Sequence, residues 1–316
     1  MSVKRFVKGI PVPICGLSLG LASLDRFLLE HYGDMYTVSI CAFLSLIIAA
    51  LFTIRIIIDG EGIRKDIENP AVFAVLPTYT MTLMLLSAHA GQYIGVIAQG
   101  IWISAIAASF VIMFFFIKRF LINFRIENVF PSWVIIFVGY VVASVTSPAF
   151  GMEWLGRLLF WSGFIGYLSI LPIAAYRTLF VRAIPESLIP QAAIFTAPVN
   201  LCIVGCLAVY GNAPPEAVLA FLVVLSVVSY AAVIAYLPKM LNRRFYPSYA
   251  ALTFPLVISA ASFYELGKHY DLSGDVFHIA QTATALIAVV IVAYVLIRYS
   301  VFLYRTAKPA GTARSA

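Results

Sequence analysis

The residues that could carry acid–base or metal chemistry are few in this chain and lie apart from one another. We predict that the four histidines, His31, His89, His269 and His278, lie near the ends of hydrophobic segments. Glu265 and His269 are four residues apart on one helix face, but their place at a charged helix end makes a solvated pair the simpler interpretation. An intramembrane enzyme needs clustered His, Asp or Glu. The sequence therefore argues against an enzyme and predicts neither a metal site nor a cofactor.

Helix-breaking residues occur instead, at matching places along the chain. Five apolar stretches each open with a proline and reach a glycine or proline seven or eight residues later, at Gly20, Pro77, Gly139, Pro198 and Pro255. A proline inside a helix removes a hydrogen bond at a cost of about 3 kcal/mol. We therefore expect a ring of bends, with helix breaks at Pro77, Pro198 and Pro255 and unpaired carbonyls at Phe73, Ile194 and Ala251. The alternative is close packing alone, because membrane helices tolerate Pro and Gly.

The residue before each break is aromatic in one stretch only. These five residues are Leu19, Leu76, Val138, Ala197 and Phe254. In a ring of aliphatic side chains, one phenylalanine at the narrowest level can block the lumen, and an apolar constriction also gates by dewetting. We therefore predict that Phe254 is the gate of a pore.

The predicted pore lining combines these positions with glycines and with hydroxyl side chains, which offer hydrogen-bond donors without a fixed charge. It consists of Gly16, Ser18, Leu19, Gly20, Leu76, Thr78, Val138, Gly139, Ser144, Thr196, Ala197 and Thr253. Ionisable residues lie near the ends of these stretches, as Asp25 and Arg26 do, and not near their middles. Proton relays and coupled carriers usually need buried ionisable groups, so the sequence favours passive permeation.

These positions recur because the chain itself repeats. Pro13, Pro70, Pro131, Pro190 and Pro247 lie 57, 61, 59 and 57 residues apart, and such a period indicates one structural unit copied several times. The unit is a pair of apolar helices, so we predict an all-α membrane protein with ten transmembrane helices arranged as five hairpins in quasi-fivefold order. The odd helices, broken by Pro and Gly, would form an inner pore ring, and the smoother even helices would face lipid. The repeats are predicted at residues 10–60, 70–118, 130–178, 189–238 and 247–304 of a single domain, 1–316.

Composition and charge agree with a membrane protein. Apolar residues make up 62% of the chain, charged residues 11%, and mean hydropathy is +0.98, whereas soluble domains are about half apolar and about a quarter charged. Most Lys and Arg residues fall at the termini and in the connections after even helices. Positive segments stay cytoplasmic, so we predict a protein of the inner (cell) membrane with both termini in the cytoplasm. The net charge of +7 reflects this asymmetry and does not predict nucleic-acid binding.

Three segments resemble a known family. Gly16-Leu17-Ser18-Leu19-Gly20-Leu21-Ala22, Pro131-Ser132 and Thr253-Phe254-Pro255 are similar to segments of the tellurite-resistance/dicarboxylate transporter family, which includes bacterial TehA proteins and plant slow-type anion channels. The resemblance covers about residues 8–305. It implies ten helices around a central anion pore, commonly in a homotrimer, with the ninth-helix phenylalanine, here Phe254, as the occluding gate. Ser18 departs from the pattern, because TehA-type sequences tend to have proline in the first helix.

The function predicted from the sequence is passive transport through the lipid bilayer. We expect an anion channel, or a channel-like exporter, whose partners are small inorganic anions such as chloride and nitrate and whose gate is an aromatic side chain. The alternative, drawn from the same resemblance, is a secondary transporter of C4-dicarboxylates, sulfite or tellurite. Such a carrier would show saturable, pH-coupled uptake.

Overall fold

The structure is a computed structural model that describes residues 3–33, 35–181, 184–242 and 244–307. The described residues form α-helices, short 3-10 and π segments and no β-strand, which confirms the all-α prediction. The α-helices are α1 (Val3–Lys8), α2 (Ile14–Tyr32), α3 (Met35–Ile58), α4 (Gly60–Asp66), α5 (Pro70–Phe73), α6 (Pro77–Phe116), α7 (Trp133–Val138), α8 (Val142–Thr146), α9 (Glu153–Tyr176), α10 (Ala197–Tyr210), α11 (Glu216–Leu241), α12 (Thr253–His269) and α13 (Asp275–Ala307). The 3-10 segments are Ile126–Asn128, Gly139–Val141, Ser147–Phe150, Glu186–Thr196 and Pro247–Leu252, and the π segments are Ile117–Leu121 and Arg177–Val181.

Five glycines with positive φ mark the turns between successive long helical arms. They are Gly33, Gly95, Gly151, Gly211 and Gly274. Glycine adopts such backbone angles without the steric cost that a Cβ atom brings. Each turn joins an odd arm to the following even arm. The odd arms contain α2, the part of α6 before Gly95, α7 with α8, α10 and α12, and the even arms contain α3, the part of α6 after Gly95, α9, α11 and α13. We call the side of the bundle with these turns the hairpin end and the opposite side the linker end.

Helix α6 is a hairpin in its own right. The hydroxyls of Thr80 and Ser109 lie 2.6 Å apart, although a straight helix would separate residues with this spacing by about 43 Å. The chain therefore folds back between them, and Gly95, with φ 35° and ψ −105°, is the non-helical residue inside α6. Ala90-Gly91-Gln92 is helical, so the first arm continues to Gly95.

Eight stretches of the described residues are long and apolar enough to cross a membrane. One of them, Pro70–Leu121, has 52 residues, and the reversal at Gly95 divides it into two arms. Helix α2 is not among the eight and contains three charged residues, Asp25, Arg26 and Glu30. The chain is a multi-pass membrane protein, and the count of ten spans stays a prediction.

The odd arms lie inside the bundle and the even arms outside. In the odd spans Trp133–Phe150, Glu186–Tyr210 and Pro247–His269, 72 to 83% of the residues in the most apolar window are buried. In the even spans Glu153–Val181 and Glu216–Leu241 the corresponding shares are 39% and 22%. The even arms expose many large apolar side chains, such as Val224 and Ile297. These side chains form the surface available to lipid, as the sequence predicted.

The predicted helix breaks occur at the starts of α-helices rather than in their interiors. Pro77 and Pro198 occupy the first turn of α6 and α10, where the backbone N–H lacks an intrahelical partner in any case. The carbonyl of Phe73 accepts from the N–H of Leu76 at 2.9 Å, and that of Ile194 accepts from the N–H of Ala197. The prediction that these carbonyls are unpaired was therefore wrong, because short 3-10-type bonds satisfy them.

Two further break positions differ from each other. Pro255 lies in the first turn of α12, like its counterparts in the earlier repeats. Gly20 lies inside α2, which is continuous from Ile14 to Tyr32. The prediction of a break at Gly20 was wrong, because a glycine lowers helix propensity without removing a hydrogen bond.

Candidate functional site

A cavity of about 40 Å³ lies at the centre of the bundle and is lined by all five odd arms. Each arm contributes one residue to each of two layers. The linker-side ring consists of Gly16, Val75, Ile135, Ile194 and Ala251. The middle ring consists of Leu19, Thr78, Val138, Ala197 and Phe254. In both rings successive members are 59, 60, 59 and 57 residues apart, so the sequence period reappears as a layered cavity wall.

The middle ring corrects the sequence-derived register in the second repeat. Counting from Pro70 led us to expect Leu76 at this level, but the structure places Thr78 there. The chain from Pro70 is not one continuous helix, because α5 ends at Phe73 and a turn precedes α6 at Pro77. This turn shifts the residue that faces the cavity by two positions. Leu76 instead packs against the core beside the cavity.

Phe254 lies where the central cavity meets a second cavity. The second cavity, of about 20 Å³, lies toward the hairpin end, and Phe254 and Leu201 line both cavities. The phenylalanine side chain is buried, with 6% of its surface exposed. Phe254 thus borders both cavities, which follow one another along the odd arms.

Several predicted lining residues do reach the central cavity. Besides the ring members Gly16, Leu19, Thr78, Val138 and Ala197, the predicted residue Gly139 lies on its wall. Two of the predicted helix-break residues, Pro198 and Pro255, also line it. The Thr78 hydroxyl donates to the carbonyl of Val75 at 2.6 Å. The hydroxyl proton is therefore used in a bond to the turn that precedes α6.

The other predicted hydroxyls lie in the walls and join helices. Ser18 donates to the carbonyl of Ser45 at 2.9 Å, and Ser144 donates to the carbonyl of Gly156 at 2.8 Å. Thr253 donates to the carbonyl of Gly16 at 2.9 Å. All of these side chains are buried. A small hydroxyl at a helix contact is used for packing and hydrogen bonding there, and helical periodicity alone did not distinguish that face from the face toward the axis.

Thr196 belongs to a buried polar network beside α12. The Asn200 carboxamide donates to the Thr196 hydroxyl at 2.9 Å and to the Ser259 hydroxyl at 3.0 Å. It accepts from the Ser226 hydroxyl at 2.6 Å and also from Ser262. The network therefore connects α10, α11 and α12, and its members Ser259 and Ser262 lie on the helix that begins with Phe254.

Gly20 is a contact point between α2 and the start of α12. A Cβ atom built on it would lie 2.4 Å from the Thr253 Oγ1 and 3.2 Å from the Phe254 backbone nitrogen. Only a residue without a side chain fits this approach. Gly20 therefore allows α2 to pack closely against the backbone at Phe254 and does not line the cavity.

Sequence reasoning missed Gln191, which lines the central cavity near the linker end. Its Nε2 donates weakly to the carbonyl of Ala71 at 3.4 Å, and its buried Oε1 has no hydrogen-bond partner. Ser248, on the same wall, donates to the carbonyl of Ser187. Both residues directly follow a repeat-opening proline, and this shared phase was the signal that could have identified them.

The two cavities differ in charge. Among the described residues, none of those lining the central cavity has an ionisable side chain. The second cavity is lined by Arg26, Glu30 and Glu265. The His89 Nδ1 is 3.0 Å from the Asp25 carboxylate, also toward the hairpin end.

Charged residues at the linker end are partly paired with one another. The buried Arg55 guanidinium donates to the carbonyl of Ile10 and lies 2.5 Å from the Asp66 carboxylate. Lys8 lies 3.2 Å from Asp59. These pairs tie α1, α3 and α4 together. Other basic side chains, including Arg64 and Lys65, are exposed.

Comparison with known proteins identifies the family of the chain. No curated protein matches the chain. Residues 11–299 match the family model described as voltage-dependent anion channel (SLAC1), and this range contains every helix arm that lines the two cavities. This match covers most of the chain, and all five odd arms that enclose the uncharged central cavity lie within it. The chain therefore belongs to the voltage-dependent anion channel (SLAC1) family.

Proposed function

We propose that this protein is a passive channel for small monovalent anions such as chloride and nitrate, and that the permeation path runs through both cavities and is closed at Phe254. Family membership gives anion channel or transporter activity. The finer proposal rests on one observation, that Phe254 lies between two aligned cavities and is the only aromatic member of the middle ring.

The uncharged lining of the central cavity supports a channel over a coupled carrier. Inside this cavity a doubly charged substrate would need fixed cations to offset the cost of removing two charges from water. A proton-coupled carrier would need a titrating group beside its substrate in this central part of the path. The central cavity offers apolar side chains and the polar groups of Thr78, Gln191 and Ser248. These groups fit a monovalent anion that crosses without a bound partner.

Anions would be concentrated at the linker end, which we propose faces the cytoplasm. The odd arms all begin there, so the positive ends of their helix dipoles point toward the mouth of the central cavity. Exposed basic side chains such as Arg64, Lys65 and Arg119 add to this field. A positive field raises the local concentration of anions. Location in the inner membrane and assembly as a homotrimer are further parts of the proposal. Membrane fractionation would test the location, and chemical cross-linking would test the homotrimer.

The experiment is anion flux into liposomes that contain the purified protein. Replacing Phe254 with alanine removes the ring between the cavities, and we expect chloride and nitrate flux to rise above the wild-type level. Phe164→Ala is the matched control, because Phe164 is similarly buried at 8% exposure but lies on the even arm α9. Its flux should stay at the wild-type level.

Two results would count against the proposal. One is an unchanged flux in the Phe254→Ala protein that still elutes as a folded species. The other is a flux that requires a proton gradient, which would favour the carrier of C4-dicarboxylates, sulfite or tellurite.

A further inference from the structure

The second cavity contains a positive charge in register with the rings of the first. Seven residues beyond each member of the middle ring, two helical turns toward the hairpin end, lie Arg26, Leu85, Val145, Val204 and Ala261. All five line the second cavity, and we call them the hairpin-side ring. Arg26 is its only charged member. This arginine therefore lies on the axis-facing side of α2, beyond Phe254.

The guanidinium of Arg26 has hydrogen-bonding capacity that the described protein does not use. Its NH2 group lies 2.7 Å from the Glu30 carboxylate, one helical turn away. Its Nε is buried and has no hydrogen-bond partner, while 31% of the side chain is exposed. A guanidinium has five N–H donors in a planar fork. Donors therefore remain for a ligand in the cavity.

Acidic groups lie on the same wall, so the cavity could attract either a cation or an anion. Glu30, His31 and Glu265 bring three potential ligand atoms within 4.8 Å of one another, an arrangement that would also attract a cation. Arg26 and Lys268 act electrostatically on both His31 and Glu265. Two fixed cations beside this cluster disfavour a divalent metal ion. The free N–H groups of Arg26 favour an anion.

We infer that Arg26 forms an anion-binding site on the hairpin side of Phe254, for a small monovalent anion such as nitrate or a halide. The inference rests on the proposed function, because it places the site on the same path. The bound anion accepts hydrogen bonds from the Nε–H and a free N–H of Arg26, and planar oxyanions match this fork well. Glu30 competes for the same guanidinium and so limits the time that the anion stays. An anion that passes Phe254 meets this site next.

The first test measures binding without conduction. An anion that binds only the folded protein stabilises it by RT ln(1 + [L]/Kd), so the thermal midpoint rises with the anion concentration. We expect nitrate, compared with the large anion gluconate at equal ionic strength, to raise the midpoint of the wild-type protein in detergent. Arg26→Gln should lose this nitrate-dependent increase. Arg157→Gln is the matched control, because Arg157 also lies toward the hairpin end but packs on the Tyr210 ring and donates to the Val209 carbonyl.

The second test measures flux in the Phe254→Ala background as nitrate concentration is varied. Arg26→Gln should raise the half-saturating nitrate concentration about threefold to tenfold, the usual worth of one partly exposed charge-assisted hydrogen bond. Glu30→Gln should lower the half-saturating nitrate concentration, because the Glu30 carboxylate that competes with nitrate for Arg26 is replaced by a neutral amide. Arg157→Gln should leave it unchanged.

The outcomes separate the two proposals. If Phe254→Ala conducts anions but Arg26→Gln and Glu30→Gln behave like Arg157→Gln in both tests, the Arg26 site is refuted and the channel stands. If Phe254→Ala conducts no anions, the channel proposal fails, while the thermal measurement still decides whether Arg26 binds nitrate. A Glu30→Gln variant that weakens nitrate binding would refute the competition between carboxylate and anion.

Discussion

Replacing Gly20 with alanine should disturb both the stability of the bundle and the position of Phe254. The new methyl group would lie 2.4 Å from the Thr253 Oγ1 and 2.5 Å from its Cβ, well inside normal van der Waals contact. Helices α2 and α12 must therefore separate locally by about 1 Å, since packed interiors do not absorb a methyl group without movement. The 2.9 Å bond from Thr253 to the carbonyl of Gly16 would lengthen with them.

The expected cost follows from these contacts. Inserting a methyl group into a packed contact costs about 1–3 kcal/mol, and weakening one buried hydrogen bond adds about 1 kcal/mol. The higher helix propensity of alanine offsets up to about 1 kcal/mol of this loss of stability. The net loss is about 1–3 kcal/mol, which corresponds to a fall of several degrees in the thermal midpoint, at about 2–4 °C per kcal/mol.

The assay is thermal unfolding in detergent together with anion flux in liposomes. Gly100→Ala is the control, because nothing lies within 4 Å of a Cβ built at Gly100; that variant should be as stable as the wild type. Because the nearest backbone atom to the Gly20 methyl group is the nitrogen of Phe254, at 3.2 Å, flux should also rise. The rise should disappear in the Phe254→Ala background. A Gly20→Ala protein with the midpoint and flux of Gly100→Ala would refute the reasoning.

Two further predictions concern the polar network and the cavity. Asn200→Leu leaves the buried Ser226 and Ser259 hydroxyls without their amide partner, so the free energy of unfolding should fall by about 1–3 kcal/mol. The control Ser169→Ala removes a hydroxyl from the exposed face of α9 and should leave the thermal midpoint unchanged. Equal midpoints of the two variants in calorimetry would contradict this prediction. The uncharged central cavity makes dehydration the main barrier to an anion, since burying a charge without a partner is costly. Flux through Phe254→Ala should therefore be faster for nitrate and iodide than for chloride, and far slower for sulfate. A preference for sulfate would show that a cationic group lies in the central part of the path, which contradicts an uncharged central cavity.

The arrangement of the arms was predictable from the sequence because it depends on periodicity. The repeat of about 59 residues and the contrast between broken and smooth helices predicted which arms lie inside. The middle-ring residues Leu19, Val138, Ala197 and Phe254 were also found by counting from the opening prolines. The count failed at Leu76 because a turn after Phe73 changes the phase, and such a turn leaves no strong signal in an apolar segment.

The hydroxyl side chains were harder to place. Ser18, Ser144 and Thr253 are small and polar, and the sequence does not state whether such a residue faces a lumen or a neighbouring helix. In the structure each donates to a backbone carbonyl of another helix, because a buried donor must find an acceptor. Arg26 was predicted at the end of a helix, but its orientation toward the axis became clear only from its register with Leu85 and Val204.

The polar links within hairpins bear on how this protein enters its membrane. Ser18 bonds to Ser45, Thr80 to Ser109 and Asn200 to Ser226, and both members of each pair come from the same hairpin. In each pair the second residue follows the first by fewer than about 30 residues in the sequence. The two helices of a hairpin therefore contain both groups of this hydrogen bond as soon as the hairpin has been synthesised. Short-range contacts form quickly. We therefore expect insertion in pairs, each hairpin arriving as a finished unit before the ring closes around the axis.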